Sequence, residues 1–132
     1  MKNTFKPTGY NSVSPYLVVD GAQRMIDLLK QIFDATELRR YTDDSGRILH
    51  AEVKVDDSVV MVAEATEKWP ANKTVIHVYV SDVDAAYKRA IEAGCQSLQE
   101  PRTQKGDPDK RGGFSDFSGN AWYVSTQHDV PE

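Results

Sequence analysis

The apolar and polar positions along the chain change rhythm at regular intervals, and each change predicts an element. "TVIHVYVS", Thr74 to Ser81, alternates β-branched and aromatic residues with a period of two and reads as a strand. Ser81 or Asp82 then offers an oxygen to the free N–H groups of a following helix. Val83, Ala86, Tyr87, Ala90 and Ile91 recur at helical spacing, and Gly94 stands where a left-handed helix stop is wanted. A short strand is predicted at Gln96 to Gln99, then a polar loop "EPRTQKGDPDKRGG", then strands in "GFSDF" and "AWYVSTQ" joined by an "SGN" turn.

The first half has the same rhythm. "SVSPYLVVD" is a strand, with Pro15 placing it at an edge or at its own start. Asp20 with Gln23 makes an N-terminal capping pair for a helix whose apolar face holds Met25, Ile26, Leu28, Leu29, Ile32 and Phe33. "TELRRYT", "RILHAEVKV" and "SVVMVAEA" are strands separated by the turns "DDSG" and "DD", and the loop "TEKWPANK" leads into the second half. Both halves therefore read β-α-β-β-β, a repeat of pattern rather than of residues. A helix covers only one face of such a sheet. Pairing two units lets the other faces curve around a shared cleft. The expected fold is α+β: two βαβββ modules, about 12–65 and 74–127, in a single domain of 132 residues.

Composition narrows the class. The net charge is −4 with both signs interspersed, which argues against a nucleic-acid binder, since that needs a concentrated basic face to neutralise phosphates. No run is long and apolar enough to span a bilayer, and the N-terminus has no signal-type apolar core. The lone cysteine, Cys95, excludes an intrachain disulfide and an all-cysteine metal cage, and is expected to be buried and structural. The expectation is a cytoplasmic protein that binds neither nucleic acid nor membrane.

Four stretches, "SPYLVVDGAQRMIDLLKQIFDATEL", "DDSVVMVAEA", "HVYVSDVDAAYKRAIEAG" and "KRGGFSDFSGNAWYVST", carry a resemblance that runs from about Ser14 to Thr126. In them the chain resembles the vicinal oxygen chelate superfamily of glyoxalase I, bleomycin- and fosfomycin-resistance proteins and extradiol dioxygenases. The likeness is nearest to its PhnB-like branch. Two departures are Leu28-Leu29, where relatives often have Phe-Tyr, and "SDFSGN", which lacks the proline common in that turn. The resemblance implies paired modules and a homodimer. In the enzymes it also implies a cleft-bound divalent metal held by four His, Gln or Glu side chains, acting as a Lewis acid. Here those positions fall near Ser14, Met61, Val75 and Val124, of which three are apolar. Such residues do not make the N, O or S cage a metal needs. The expectation is therefore no metal and no cofactor.

In the resembled fold, alternation places His77 and Tyr79 on the cleft side with Val75. It sends Leu49, Ala51, Val53 and Val55 to the helix side, and His50, Glu52 and Lys54 to the other. Trp122, two before Val124, is expected on the cleft floor, where it and Tyr79 could stack on a flat ligand. Arg111 is expected to bring a charge over the cleft mouth toward an anionic ligand, against the alternative of a solvated loop arginine. One of Arg39 and Arg40 should also reach the cleft side. His50, Glu52 and His77 could form a displaced metal or acid–base site, with the glutamate raised towards neutrality by a poorly hydrated cleft. Three ligand-type residues meet readily by chance in a small domain, so the favoured reading makes them hydrogen-bonded polar residues. "GDPDKRGG" has the spacing of neither a Walker loop nor a dinucleotide fingerprint, and "DDSGR" reads as a hairpin turn rather than a calcium loop.

The functional expectation is a protein that binds or sequesters a small organic ligand. His50, Glu52, His77, Tyr79, Arg111 and Trp122 are its candidate binding residues. The alternative is a metal-dependent or metal-free lyase, isomerase or dioxygenase-type enzyme using His50, Glu52 or His77, with His77 and Glu52 as candidate catalytic groups. A scaffold role is the third reading, since fold does not fix function.

Overall fold

The computed structural model describes residues 5–128. Its elements run β1 (Tyr16–Val19), α1 (Ala22–Phe33), β2 (Thr36–Thr42), β3 (Ile48–Val55), β4 (Ser58–Glu64), β5 (Val75–Tyr79), α2 (Val83–Glu92), β6 (Gln96–Arg102), β7 (Asp109–Ser115) and β8 (Ala121–Gln127). The chain divides into two compact units: one up to Asn72 apart from the last turn of α1, the other from Lys73 onward together with residues 31–33. Each is a four-stranded mixed sheet, ordered β1-β4-β3-β2 in the first and β5-β8-β7-β6 in the second. In each, the helix carries the chain across the sheet, so the strand before it pairs parallel with the last strand, while hairpins make the other pairings antiparallel.

In the first unit Leu17, Val19, Ala51, Val53 and Val62 alternate into the core, and α1 buries Ala22, Met25, Ile26, Leu28 and Leu29. The start of α1 departs from expectation. Asp20 and Gln23 do not cap it; the N-cap is Gly21, at a φ of 110° that favours glycine, with no side-chain cap of its own. The two free N–H groups are taken from a distance, Gly21 N–H by Glu64 Oε2 and Ala22 N–H by Glu64 Oε1, both at 2.9 Å. Gln23 bonds Asp27 Oδ1 instead. A carboxylate at the last position of β4 thus ties the helix start to the sheet, where the helix dipole favours negative charge.

Strand β3 holds a second departure. His50 pairs with Tyr41 but Ile48 pairs with Thr42, so Leu49 is an extra residue in a bulge. The bulge breaks the alternation. Ile48 takes the buried position at 5% exposure, and Leu49, expected on the helix side, is 52% exposed. The "DDSG" segment closes a hairpin turn, as expected, with Asp43 Oδ1 accepting the Ser45 and Arg47 N–H groups.

In the second unit α2 is capped as the sequence suggests, Asp82 accepting from Ala85 N–H at 3.1 Å. Gly94 closes the helix at a φ of 97°. Cys95 is buried. Strand β7 begins at Asp109, earlier than "GFSDF" indicated, and β6 extends to Arg102, so Arg111 lies on a strand and not in a loop. The β7–β8 turn is organised by Asp116, which accepts Ser118 N–H, Asn120 N–H, Asn120 Nδ2 and, at 2.8 Å, Trp122 Nε1. No helix among the described residues is long and apolar enough to cross a membrane.

Candidate functional site

Each sheet leaves one face uncovered by its core, and register decides what stands there. Across the first sheet Tyr16, Met61, Glu52 and Arg39 are in register on β1, β4, β3 and β2. Glu52 is the centre of this row and is only 5% exposed. Its Oε1 accepts a short hydrogen bond from the Tyr10 hydroxyl, and its Oε2 meets His50 Nε2 at 2.9 Å. Arg39 Nε lies 3.7 Å away. Burial pushes the Glu52 carboxyl up, but the Tyr10 and His50 hydrogen bonds, with the charges of His50 and Arg39, outweigh it and hold the pKa below the usual glutamate value. The expected upward shift is therefore corrected: Glu52 stays ionised. An ionised carboxylate only accepts, so His50 Nε2 donates to it, and His50 Nδ1 meets the Tyr16 hydroxyl at 2.9 Å.

Across the second sheet Tyr79, Ser125, Arg111 and Arg102 are in register, and beside them His77, Tyr123, Gly113 and Gln99. Arg111 Nη1 lies 3.3 Å from Ser125 Oγ and donates to it, which leaves the serine hydroxyl to donate to His77 Nε2 at 2.9 Å. That direction suits a neutral ring. Partial burial of His77, and then the Arg111 charge, lower its pKa below the ordinary histidine value. Arg111 is itself neutralised by Asp107 at 2.7 Å and Asp109 at 2.9 Å, and the Tyr79 hydroxyl donates to Asp109 at 2.7 Å. Rather than a guanidinium held open over a cleft, Arg111 is the hub of a closed network.

Trp122 does not stand on this face. It pairs with Ile76 rather than His77, is 1% exposed, and packs against Phe33 at a ring separation of 5.5 Å. Alternation puts Tyr123 on the open face in its place, with its ring over Gly113, where a Cβ would approach it to 2.7 Å. Val124 is likewise fully buried. On β8 the outward positions are therefore Ala121 beside Val75, Tyr123 beside His77 and Ser125 beside Tyr79.

The superfamily's metal can be tested against these residues. Glu52, His50 and His77 stand beside the expected ligand positions, each already hydrogen-bonded. At those positions the outward residues are Tyr16 and Met61 in the first unit, a phenol and a thioether, and Val75 with the hydroxyls of Tyr123 and Ser125 in the second. This donor set does not fit a divalent ion that prefers imidazole and carboxylate. Among the described residues no group of three or more His, Cys, Asp or Glu side chains is placed to hold a metal. His50 and Glu52 satisfy each other within the first unit, and His77 is bonded to Ser125 within the second.

A feature that the sequence reading missed lies in the first unit. A cavity of about 710 Å³ is walled by Tyr16, Val18, Leu49, Ala63, Trp69 and Pro70. Leu49 reaches it through the bulge. Trp69 reaches it from a fastened loop, its N–H donating to Thr66 Oγ1 at 3.0 Å and its carbonyl accepting from Thr66 N–H at 2.8 Å. Asn72 seals the β1 edge, giving Nδ2 to Tyr16 O and taking Val18 N–H on Oδ1. The one signal in the sequence was "WP" in an otherwise polar loop, a large aromatic held extended by the proline after it.

Residues 9–124 match the family profile described as the Glyoxalase/Bleomycin resistance protein/Dioxygenase superfamily. The chain belongs to this superfamily. It is 31% identical over 122 aligned residues to protein Mb0911c of Mycobacterium bovis, covering 84% of this chain and 80% of that one. Among solved structures it is similar to TioX from Micromonospora sp. ML1, at 24% identity and a TM-score of 0.71 over 92% of this chain and 100% of that one. TnmS3, an antibiotic binding protein from Streptomyces sp. CB03234, gives 16% identity and a TM-score of 0.67 over 96% and 99% of the two chains. The fosfomycin resistance protein FosX from Mesorhizobium loti gives 17% and 0.61 over 88% and 91%. At these identities the structural likenesses establish the fold alone.

Proposed function

We propose that this protein captures a small organic molecule without a metal and without chemical turnover. The observation that carries the reading is the part-open cavity of about 710 Å³ in the first unit, walled mainly by hydrocarbon and aromatic rings, with Arg47, Glu64, Thr66 and Asn72 between them. That volume is in the range of small-molecule sites, about 300–1,000 Å³. The Glu52 and Arg111 networks are closed on themselves, which suits walls better than reacting groups. The antibiotic-binding description of TnmS3, a protein of the same fold, agrees with capture. Membership of the PhnB-like branch, a cytoplasmic location and a homodimer belong to the same proposal, the last resting on the resemblance alone.

One observation favours the enzyme reading. His77 is kept neutral beside a hydroxyl, as a metal-free general base would be. A thermal-shift screen of organic compounds, followed by calorimetric titration of metal-stripped protein with Zn²⁺, Ni²⁺ and Mn²⁺, separates the readings. Capture predicts a compound that raises Tm, by the equivalent of about 2.7 kcal/mol at a hundredfold excess over Kd, and no stoichiometric metal uptake. Tight metal binding lost in His77→Ala would overturn it.

A further inference from the structure

The polar atoms that line the cavity are largely occupied. Both Glu64 oxygens accept from the start of α1 at 2.9 Å. The Asn72 amide is bonded to β1 through both its atoms, Thr66 Oγ1 accepts from Trp69, and the Tyr16 hydroxyl is bonded to His50. A ligand that enters need not satisfy these groups, and a polar ligand would find few partners for its own. That selects against sugars and polyols, which would lose their water without replacement.

Arg47 differs from the other polar residues on the wall. Its guanidinium is paired with Asp43 at 3.7 Å, with side chains 47% and 33% exposed. A pair so long and so wet is worth little and exchanges readily for a better-placed anion. It stands on the same cavity as Trp69, which is 67% exposed although its backbone is fixed from both directions and followed by Pro70. An indole left in water beside an apolar cavity is a ready stacking surface, and the backbone that carries it is already held in the loop.

We infer that the cavity takes a planar aromatic compound carrying a single acidic group, its ring against Trp69 and its anion at Arg47. The inference rests on the capture reading and deepens it by naming the ligand's chemistry.

The test is isothermal titration calorimetry with two probes that share one ring system, 2-naphthoate and 2-naphthylmethanol, against the wild type, Trp69→Ala and Arg47→Gln. Both side chains are exposed, and circular dichroism checks that each variant is folded. The expected result is one site per chain, with naphthoate bound about tenfold tighter than the alcohol, the strength of one exposed charge-assisted contact. Arg47→Gln should remove that preference and leave the alcohol's affinity unchanged. Trp69→Ala should weaken both probes about tenfold. Equal affinity for the two probes in the wild type, or a preference that survives Arg47→Gln, overturns the anionic half. Affinities indifferent to Trp69→Ala overturn the stacking half. If neither probe binds while another compound raises Tm in the screen above, the ligand class is wrong and capture stands. If no compound raises Tm, the capture reading fails with it.

Discussion

The two units repeat one pattern, yet they fasten its parts by opposite means. Helix α2 is capped from within, by the Asp82 side chain at its own N-cap, whereas α1 begins on a bare glycine and is held by Glu64 at the end of the neighbouring strand β4. The final hairpins differ in the other direction. The β3–β4 turn, Asp56 and Asp57, is exposed, while the β7–β8 turn is folded around the buried Asp116. The polar hubs of the open faces differ in sign: a buried carboxylate, Glu52, in the first, and a guanidinium between two aspartates, Arg111, in the second. The pattern therefore specifies a topology. The residues that fasten it are chosen separately in each copy, and their surplus is where a ligand site can arise.

The hairpins give the largest expected contrast. Asp116→Ala leaves Trp122 Nε1 and Asn120 Nδ2 without their acceptor in a buried place. Each unsatisfied buried donor costs about 1–3 kcal/mol, so a loss of about 3–5 kcal/mol in urea unfolding is expected. Asp57→Ala in the equivalent turn of the first unit should change stability by less than about 0.5 kcal/mol. Similar losses from the two substitutions would show that the turns are fastened alike and would break the contrast.

The helix starts come next. Glu64→Ala frees two N–H groups and removes the tie between α1 and β4, for an expected cost of about 2 kcal/mol. Asp82→Ala removes an ordinary cap and should cost about 1 kcal/mol. Hydrogen exchange adds a sharper reading: Glu64→Ala should speed exchange at Gly21 and Ala22, and Asp82→Ala at Ala85. If the two losses prove equal, with exchange confined to the first turn in both, Glu64 is merely a cap placed elsewhere.

What was legible in the sequence follows from range. The strand and helix periods, the repeat, the Asp82 cap and the Gly94 stop are local, so the chain announces them. Glu64 acts across 43 positions, and no local pattern marks it as the partner of Gly21. "DKRGG" reads as loop by propensity and becomes strand only because β8 offers it a partner, Lys110 facing Thr126 and Gly112 facing Val124. Leu49 was misplaced because strict alternation has no room for a bulge, and Trp122 because its face was counted from a misjudged ligand position rather than from the apolar pair it forms with Val124. At the site, the neighbourhood of His50 and Glu52 was readable from their spacing on one strand. The cavity was not, because it needs the bulge, the β1 edge and the Trp69 loop at once.

The smallest effect is a pH slope, and it sharpens the difference between the two hubs. His77 has a depressed pKa in the folded state, so the unfolded chain binds its proton first, and stability falls as pH drops below the ordinary histidine value of 6.5. Glu52 is depressed too, but a carboxylate's stabilisation is present above its unfolded value of 4.5 and is lost only as pH falls below that, through the folded pKa. The second unit should therefore respond to mild acid and the first only to stronger acid. In a series of calorimetric scans, His77→Gln should flatten the decline of Tm that begins just under the histidine value. Glu52→Gln should lower Tm at neutral pH, where its stabilisation is in force, and flatten only the steeper decline below the glutamate value. A His77→Gln profile parallel to the wild type throughout would mean that the ring takes up its proton as easily in the fold as in the unfolded chain. The Ser125–His77 hydrogen bond would then have to run from the imidazolium to the serine oxygen, which accepts from Arg111 in either case.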